Sequence, residues 1–225
     1  MTSSKTPAYT GNLPADLAAR LAATGRPIRV GLIGSGEMGT DIVTQCDQMT
    51  GITVAAIAEV RPGAAAKALH IAGRDSASHR DANTQSSFDA ALESGKTALT
   101  ENAQLVCSSP HVDVVIDATG RPGVGAEIGL TAMEHGKHLV MMNVEADVTI
   151  GVYLKKQAER LGVVYPVGAG DEPSSCMELI EFASALGYTI VSAGKGKNNP
   201  LHLDAVPDVY LQEAERWNMN PRMLV

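Results

Sequence analysis

Three closely spaced glycines constrain this chain more than any other feature of its sequence. Gly34, Gly36 and Gly39 form the pattern G-x-G-x-x-G directly after Ile28–Ile33, an apolar run of the kind that forms a buried parallel strand. A predicted helix begins at Glu37. In such a unit the first glycine makes the tight turn and the second lets backbone N–H groups approach a pyrophosphate, while the third lets the helix pack on the strand. The pattern therefore predicts a dinucleotide-binding turn.

Further residues are expected to contact the dinucleotide. The whole turn should surround the phosphates, namely Gly34, Ser35, Gly36, Glu37, Met38 and Gly39. Glu59 lies about 20 residues beyond the last glycine, where an acidic side chain accepts hydrogen bonds from the ribose hydroxyls of NAD. Arg61 is placed to meet the 2′-phosphate of NADP. The two residues favour different cofactors, so the sequence leaves NAD and NADP open.

Strand-like and helix-like segments alternate along the chain, which predicts an α/β fold with a doubly wound, Rossmann-type parallel sheet. The predicted strands after the first are Ile52–Val60, His111–Thr119, His138–Asn143, Val163–Val167 and Tyr188–Ser192. The predicted helices are Pro14–Thr24, Glu37–Met49, Gly63–Ala72, Pro122–His135, Asp147–Leu161 with Asp147 as its cap, Pro173–Leu186 and Pro207–Asn218. The polar residues 74–95 are expected to form a surface excursion.

This rhythm divides the chain into three parts. Residues 1–27 are expected to form a tail and a helix that ends at Gly25, and residues 28–168 the dinucleotide-binding domain. Residues 169–225 are expected to begin a substrate-binding or dimerisation region. The last residues resemble the start of another strand, so we expect a further C-terminal portion.

Polar residues also end the predicted strands that follow the glycine turn. Because ligands of open α/β sheets bind beyond the carboxyl ends of the strands, Thr119 and Gly120 should line the dinucleotide crevice. Asn143 holds a similar position after the next strand, where its amide either orients the nicotinamide or forms a local Asx turn. Asp117 is interpreted as a strand-end or capping carboxylate.

A second polar group follows residue 143 and supplies the candidate catalytic residues. Lys195 and Lys197 lie in a glycine-rich loop, where a lysine can polarise a carbonyl oxygen or bind an anion. Glu145, Asp147, Asp171 and Glu172 follow predicted strand ends, and Glu145, Asp171 and Glu172 are expected to orient substrate hydroxyls. Paired carboxylates can also hold a divalent metal. Asp171 and Glu172 equally fit the first turn of a helix, so we assign no metal ligand.

Composition excludes several classes of partner. The net charge of −7 argues against nucleic acid and anionic membranes, which need a basic surface. No apolar run approaches the roughly 20 residues of a membrane helix, and the N-terminal residues show no secretory signal. The three cysteines are far apart and suggest neither a disulfide framework nor a zinc site. A cytoplasmic protein is expected.

Several segments resemble the homoserine-dehydrogenase-like oxidoreductases. The resemblance lies in residues 28–36, 112–120 and 138–147. Two later segments, residues 167–173 and 194–201, are similar to a bacterial subgroup that has a SAF domain and includes the 1-deoxy-D-xylulose 5-phosphate reductoisomerase-like enzymes. The resemblance implies a homodimeric, NAD(P)H-dependent dehydrogenase that acts on a small phosphorylated or polyhydroxylated carbonyl compound.

One residue departs from the family pattern. Homoserine dehydrogenases carry a lysine directly after the asparagine at the position of Asn143, and this chain has Val144 there. The departure disfavours homoserine as the substrate and leaves Lys195 or Lys197 to polarise the carbonyl. A dinucleotide-binding regulatory module without catalytic activity is the alternative of a different class.

Overall fold

The computed structural model describes residues 10–168, 172–194, 202–216 and 221–223. The chain divides into two compact units, Met1–Tyr165 and Pro166–Val225. The helix predicted within residues 1–27 belongs to the first unit. The predicted dinucleotide site lies entirely in this first unit.

The first unit contains a six-stranded parallel sheet, which confirms the predicted α/β, Rossmann-type fold. Its strands are β1 (Ile28–Ile33), β2 (Ile52–Ala58), β3 (His79–Asp81), β4 (Thr97–Thr100), β5 (Val114–Asp117) and β6 (His138–Met141). Their order across the sheet is β3-β4-β2-β1-β5-β6, and every neighbouring pair is parallel. The direction of winding reverses between β1 and β5, so the two strands that begin the halves of the fold are neighbours.

Helices connect these strands, and the second unit contains further helices of its own. The first unit contains α1 (Leu13–Thr24), α2 (Glu37–Gln48), α3 (Ala64–Ile71), α4 (Gln85–Glu93), α5 (Ala103–Ser108), α6 (Pro122–Glu134) and α7 (Val144–Leu161), with a 3-10 turn at Ser76–Ser78. The second unit contains α8 (Glu172–Ala185), α9 (Leu211–Arg216) and 3-10 turns at Pro207–Tyr210 and Pro221–Met223. Gly25 ends α1 in the left-handed conformation (φ 70°), as predicted.

Two hydrophobic cores cover the faces of the sheet. Along β1, Leu32 belongs to one core and Ile33 to the other, as the alternation of side chains on a strand requires. The strands are apolar on both faces because helices cover both sides. Gly31 lets α5 approach closely, since a Cβ atom there would overlap the side chain of Val106.

The interpretation of residues 74–95 as a surface excursion is wrong. They contain the edge strand β3 and the helix α4, and β3 pairs with β4. The helix is held by its buried residues Phe88 and Ala91, both 0% exposed. Two buried side chains on a nine-residue helix are too few for its periodicity to stand out among polar neighbours.

The predicted strand Val163–Val167 is also wrong. Residues 163–166 form no strand, although the Leu139 N–H donates to the carbonyl of Val164 (3.0 Å). The Val164 N–H donates instead to the imidazole of His138 (3.1 Å), so no ladder of backbone hydrogen bonds develops beside β6. The segment is apolar because Tyr165 packs into the core at 7% exposure and Val163 packs against the same core.

Two predicted elements of the second unit differ as well. Residues 188–192 form no strand, and the Tyr188 N–H closes the end of α8 on the carbonyl of Ala183 (3.1 Å). The helix predicted over Pro207–Asn218 begins as a 3-10 turn, Pro207–Tyr210, followed by α9, Leu211–Arg216; the last two predicted positions lie outside the described residues. A proline at the first position fits the tighter turn equally well.

Candidate functional site

The glycine turn and the loop after β5 lie against each other at the point where the sheet reverses its winding. Gly34 has a φ of 91°, which favours glycine. A Cβ atom at Gly34 would lie 2.7 Å from the carbonyl oxygen of Ala118 and 3.2 Å from the nitrogen of Thr119. The turn after β1 and the loop after β5 therefore form one continuous crevice wall, at the place where open α/β sheets bind ligands.

The other two glycines hold the positions that a phosphate-binding turn requires. A Cβ atom at Gly39 would overlap the carbonyl oxygen of Gly34, so the close packing of α2 on β1 depends on this glycine. Gly36 is the N-cap of α2 and provides no side-chain hydrogen bond to the helix. The first N–H groups of α2 are thus left for a ligand, and the positive end of the helix dipole fits a pyrophosphate.

Glu59 follows β2 and binds the glycine turn directly. Its Oε2 accepts hydrogen bonds from the Ser35 N–H (2.8 Å) and the Ser35 hydroxyl (2.9 Å). Its Oε1 accepts from the Arg61 N–H (2.9 Å) and from Nε of Arg61 (3.2 Å), and Nη2 of Arg61 completes an ion pair with Oε2 at 3.2 Å. The structure therefore brings together the two residues that the sequence assigned to different cofactors.

The electrostatics of Glu59 follow from these contacts. Burial raises the pKa of the carboxyl group, whose side chain is 6% exposed, but the hydrogen bonds from Arg61 and Ser35 outweigh burial and lower the pKa to about 2. Glu59 is therefore a carboxylate at neutral pH. Arg61 is half exposed, and its Nη2 lies 3.8 Å from the position of a Cβ atom on Gly36, so its guanidinium borders the glycine turn.

On the other side of β1, Asn143 joins the ends of β5 and β6. It is 1% exposed, and its Nδ2 lies within hydrogen-bond distance of Oδ2 of Asp117 (3.1 Å), Oγ1 of Thr119 (3.2 Å) and the carbonyl of Arg121 (3.0 Å). Its Oδ1 accepts from the Ala146 N–H (3.2 Å). Asn143 is the N-cap of α7, so the structure shows the local capping role; contact with a cofactor stays a prediction.

The sequence predicted Asp147 as the cap of α7, and this prediction is wrong. The helix begins at Val144, because Asn143 already satisfies its first turn. Asp147 instead accepts a hydrogen bond from the hydroxyl of Tyr165 (2.7 Å), and burial together with this carboxylate raises the pKa of Tyr165. This hydrogen bond connects the C-terminal end of the first unit to α7.

Gly125 is a residue of this site that the sequence analysis missed. It lies on α6, and a Cβ atom there would be 2.6 Å from Nδ2 of Asn143 and 2.7 Å from Oδ2 of Asp117. Only glycine lets α6 pack over this hydrogen-bonded pair. The sequence does contain a signal for Gly125, because a glycine inside a predicted helix lowers the stability of that helix. Such a glycine therefore suggests a close contact that no larger residue would allow.

The predicted catalytic residues lie at the limit of what the structure describes. Asp171, Lys195 and Lys197 are outside the described residues, and Glu172 begins α8 with no side-chain position described. Glu145 is exposed on the first turn of α7. Within residues 10–168, 172–194, 202–216 and 221–223, no group of three or more His, Cys, Asp or Glu side chains is arranged to hold a metal ion.

Comparison with known proteins identifies the first unit. Residues 34–167, well over half of the chain, match the family described as the NAD-binding domain of homoserine dehydrogenase. The chain belongs to this family. The glycine turn, Glu59 and the ends of β5 and β6 therefore lie in a domain that binds a nicotinamide dinucleotide. Residues 170–225 match a second family, the catalytic domain of the oxidoreductase DRL.

Known relatives share part of their length with this chain. A homoserine dehydrogenase from Methylobacillus glycogenes is 30% identical over 118 residues, which are 52% of this chain and 25% of that protein. Among solved structures, an NAD-binding oxidoreductase from Klebsiella pneumoniae is similar with a TM-score of 0.50 and 18% identity, over 72% of this chain and 39% of that one. This chain thus spans about a quarter of the curated relative and two fifths of the solved structure.

A homoserine dehydrogenase structure from Thiobacillus denitrificans is also similar. Its TM-score is 0.48 at 24% identity, over 63% of this chain and 29% of that chain.

In the part of this chain that the structure describes, no helix combines the length and the apolar character needed to cross a membrane.

Proposed function

We propose that the protein is an NADP-dependent oxidoreductase that interconverts a small phosphorylated or polyhydroxylated carbonyl compound and its alcohol. The observation that carries this proposal is the uncapped start of α2 behind Gly34 and Gly36, bordered by the linked side chains of Glu59 and Arg61. The cofactor supplies the hydride when it is bound. The match of residues 170–225 to an oxidoreductase catalytic domain supports a catalytic rather than a purely regulatory role.

The hydrogen bonds of Glu59 support the choice of NADP. Five donors from Ser35 and Arg61 surround its carboxylate, which offers about four lone-pair sites. Ribose hydroxyls would therefore have to displace Arg61 before they bound Glu59. A 2′-phosphate requires no such change, because the half-exposed guanidinium keeps N–H groups that make no hydrogen bond to any described residue.

The experiment for this choice compares cofactor affinities in two variants. We expect Arg61→Ala to weaken NADPH binding by about tenfold to a hundredfold, the loss of one or two charge-assisted hydrogen bonds to phosphate. NADH affinity should stay the same or rise, because Glu59 is then free to accept hydrogen bonds from the ribose hydroxyls. Arg80→Ala, an exposed arginine on the edge strand β3, is the matched control and should change neither affinity. Equal losses for NADH and NADPH in Arg61→Ala would contradict the preference for NADP.

The catalytic roles follow the sequence motifs of the second unit. Lys195 or Lys197 polarises the substrate carbonyl and delivers the proton, while the other lysine binds the anionic group of the substrate. Asp171 and Glu172 orient substrate hydroxyls. The similarity of residues 167–173 and 194–201 to the reductoisomerase-like subgroup with a SAF domain supports these roles, and a reaction of this kind would combine reduction with rearrangement of a sugar phosphate. We further propose that the active form is a homodimer, which sedimentation analysis tests.

Turnover with a panel of carbonyl substrates tests the reaction. NADPH oxidation should occur with a phosphorylated or polyhydroxylated ketone or aldehyde, and Lys195→Ala or Lys197→Ala should lower kcat by about a hundredfold or more if the residue transfers the proton. Unchanged turnover in both lysine variants would reject these roles. Tight cofactor binding without turnover on any substrate would instead favour the regulatory module.

A homoserine dehydrogenase is the second candidate. The family match of the first unit and the 30% identity to the enzyme of Methylobacillus glycogenes support it. Val144 speaks against it, because the resemblance to homoserine dehydrogenases places a lysine at that position. NADP-linked oxidation of homoserine distinguishes the two candidates: activity with homoserine alone would replace the first proposal.

A further inference from the structure

The carboxylate of Asp117 is buried at the end of β5, where no residue that the structure describes supplies a paired cation. The residue is 0% exposed, and its backbone lies in register with Ile33 of β1 and Met141 of β6. Among the described residues, no lysine or arginine side chain forms an ion pair with it. A buried charge without a counter-charge costs stability, so packing alone does not account for it.

The neighbours of Asp117 suit its charged form. Its Oδ1 accepts the Thr119 N–H (3.0 Å), and its Oδ2 accepts Nδ2 of Asn143 (3.1 Å). Burial raises the pKa of Asp117 above its usual value, and the hydrogen bonds from Thr119 and Asn143 oppose that rise without cancelling it. The amide of Asn143 cannot be reversed, because its oxygen would then face the carboxylate and the carbonyl of Arg121.

The order of the strands locates Asp117 relative to a bound dinucleotide. Glu59 follows β2 at the position of the adenosine ribose, and the glycine turn follows β1 at the position of the pyrophosphate. Continuing in the same direction, the next strand is β5, which ends at Asp117. A dinucleotide bound across these strand ends would have its nicotinamide half on the β5 side of the glycine turn, near the Thr119–Gly120 loop that follows Asp117.

We propose that Asp117 provides a fixed negative charge beneath the nicotinamide and makes the site bind the oxidised cofactor more tightly than the reduced one. The inference rests on the proposed cofactor site. The nicotinamide ring is positively charged in the oxidised cofactor and neutral in the reduced one, so a nearby anion stabilises only the oxidised form. Because Asp117 is buried, water screens this attraction little.

Two variants separate the effect of charge from the effect of structure. Asp117→Asn removes the charge and should lower the affinity for the oxidised cofactor about tenfold relative to that for the reduced cofactor, the size expected for one charge acting from the end of a neighbouring strand. Asn143→Ala removes hydrogen bonds from the same network but no charge. It should weaken the binding of both forms by a similar factor and leave their ratio unchanged.

The measurement is the dissociation constant of each redox form, by calorimetry for the oxidised cofactor and by fluorescence for the reduced one. NADP+ and NADPH are compared, with NAD+ and NADH in parallel, so the result does not depend on the preference for NADP. If Asp117→Asn does not fold, Asp117→Thr carries the same prediction, because its hydroxyl oxygen also accepts hydrogen bonds and its branched side chain suits a strand.

The outcomes distinguish this inference from the proposed function. A wild-type protein that binds neither redox form refutes the cofactor site and this inference together. Binding by the wild type with an unchanged ratio in a folded Asp117→Asn or Asp117→Thr variant refutes only the role of Asp117. A ratio that changes in Asn143→Ala and does not recover as the pH is raised would show that structure, not charge, sets the preference, because a higher pH restores the charge of Asp117.

Discussion

At the scale of single residues, Glu59 ties the glycine turn to the second strand. Its carboxylate accepts two hydrogen bonds from Ser35 and three from Arg61. The sequence identified Glu59 and Arg61 as alternative cofactor contacts. In the folded protein the two side chains form an ion pair, so removing either one leaves the charge of the other unpaired.

The pairing of Glu59 gives stability that depends on pH. Its folded-state pKa of about 2 lies below the usual 4.5, so this stabilisation is complete above about pH 5 and is lost as the pH falls toward 2. We expect a loss of about 1–2 kcal/mol in the free energy of unfolding, reduced by solvent screening at Arg61. Urea titrations between pH 7 and pH 3 should show a smaller decline for Glu59→Gln, and identical profiles would refute the contribution.

Gly39 tests the packing of the glycine turn. A Cβ atom there overlaps the carbonyl oxygen of Gly34, so Gly39→Ala should destabilise the fold by about 1–3 kcal/mol and weaken cofactor binding. Gly123→Ala is the matched control: it lies on α6, and a Cβ atom there meets no other atom within 4 Å. Chemical denaturation should show an unchanged or higher stability for the control, by up to about 1 kcal/mol.

At the scale of elements, α4 shows how a short helix escapes detection from sequence. Its N-terminus carries a capping box, in which the Thr84 hydroxyl accepts the Ser87 N–H (3.3 Å) and the Ser87 hydroxyl accepts the Thr84 N–H (3.2 Å). The usual signature has Glu or Gln in place of Ser87. With a serine there, the sequence looked like part of a polar loop.

The capping box should contribute measurably to stability. Thr84→Ala removes the cap and is expected to lower the free energy of unfolding by about 1 kcal/mol. Ser86→Ala changes an exposed residue on the same turn that makes no described hydrogen bond, and it should have an effect near zero. Thermal and urea denaturation of both variants check this; equal losses would show that the cap contributes nothing.

At the scale of the whole molecule, the chain consists of two units with different predicted tasks. The first contains the predicted cofactor residues from Gly34 to Asn143, and the second the predicted catalytic lysines. The boundary between the units lies close to the boundary between the two family matches, residues 34–167 and 170–225. This agreement suggests that the first unit folds and binds cofactor by itself.

A fragment of residues 1–168 tests that independence. It keeps Tyr165, whose hydroxyl binds Asp147 on α7, and both hydrophobic cores. We expect a cooperative unfolding transition and a cofactor Kd within about threefold of the full chain, because a domain with its own core is stable without its neighbour. A fragment that folds but fails to bind cofactor would place part of the site in the second unit.

The sequence by itself determined the first strand–turn–helix unit and the α/β class, because local patterns specify both. Gly34, Gly36 and Gly39 need no distant partner to be recognised, and apolar strands reveal a sheet that is covered on both faces. The C-terminal end of α1 and the start of α6 could also be predicted from the sequence, because Gly25 and Pro122 each restrict or permit the backbone conformation at their own position.

Only the tertiary structure decided which of the polar residues act together. Residues far apart in the sequence, Glu59 with Ser35 and Asp117 with Asn143, become hydrogen-bonded pairs when parallel strands end at one edge of the sheet. It also showed that residues 163–166 form no strand, because His138 takes the Val164 N–H. A local sequence pattern does not show which groups from distant parts of the chain compete for the same hydrogen bond. That competition determines the geometry of the site.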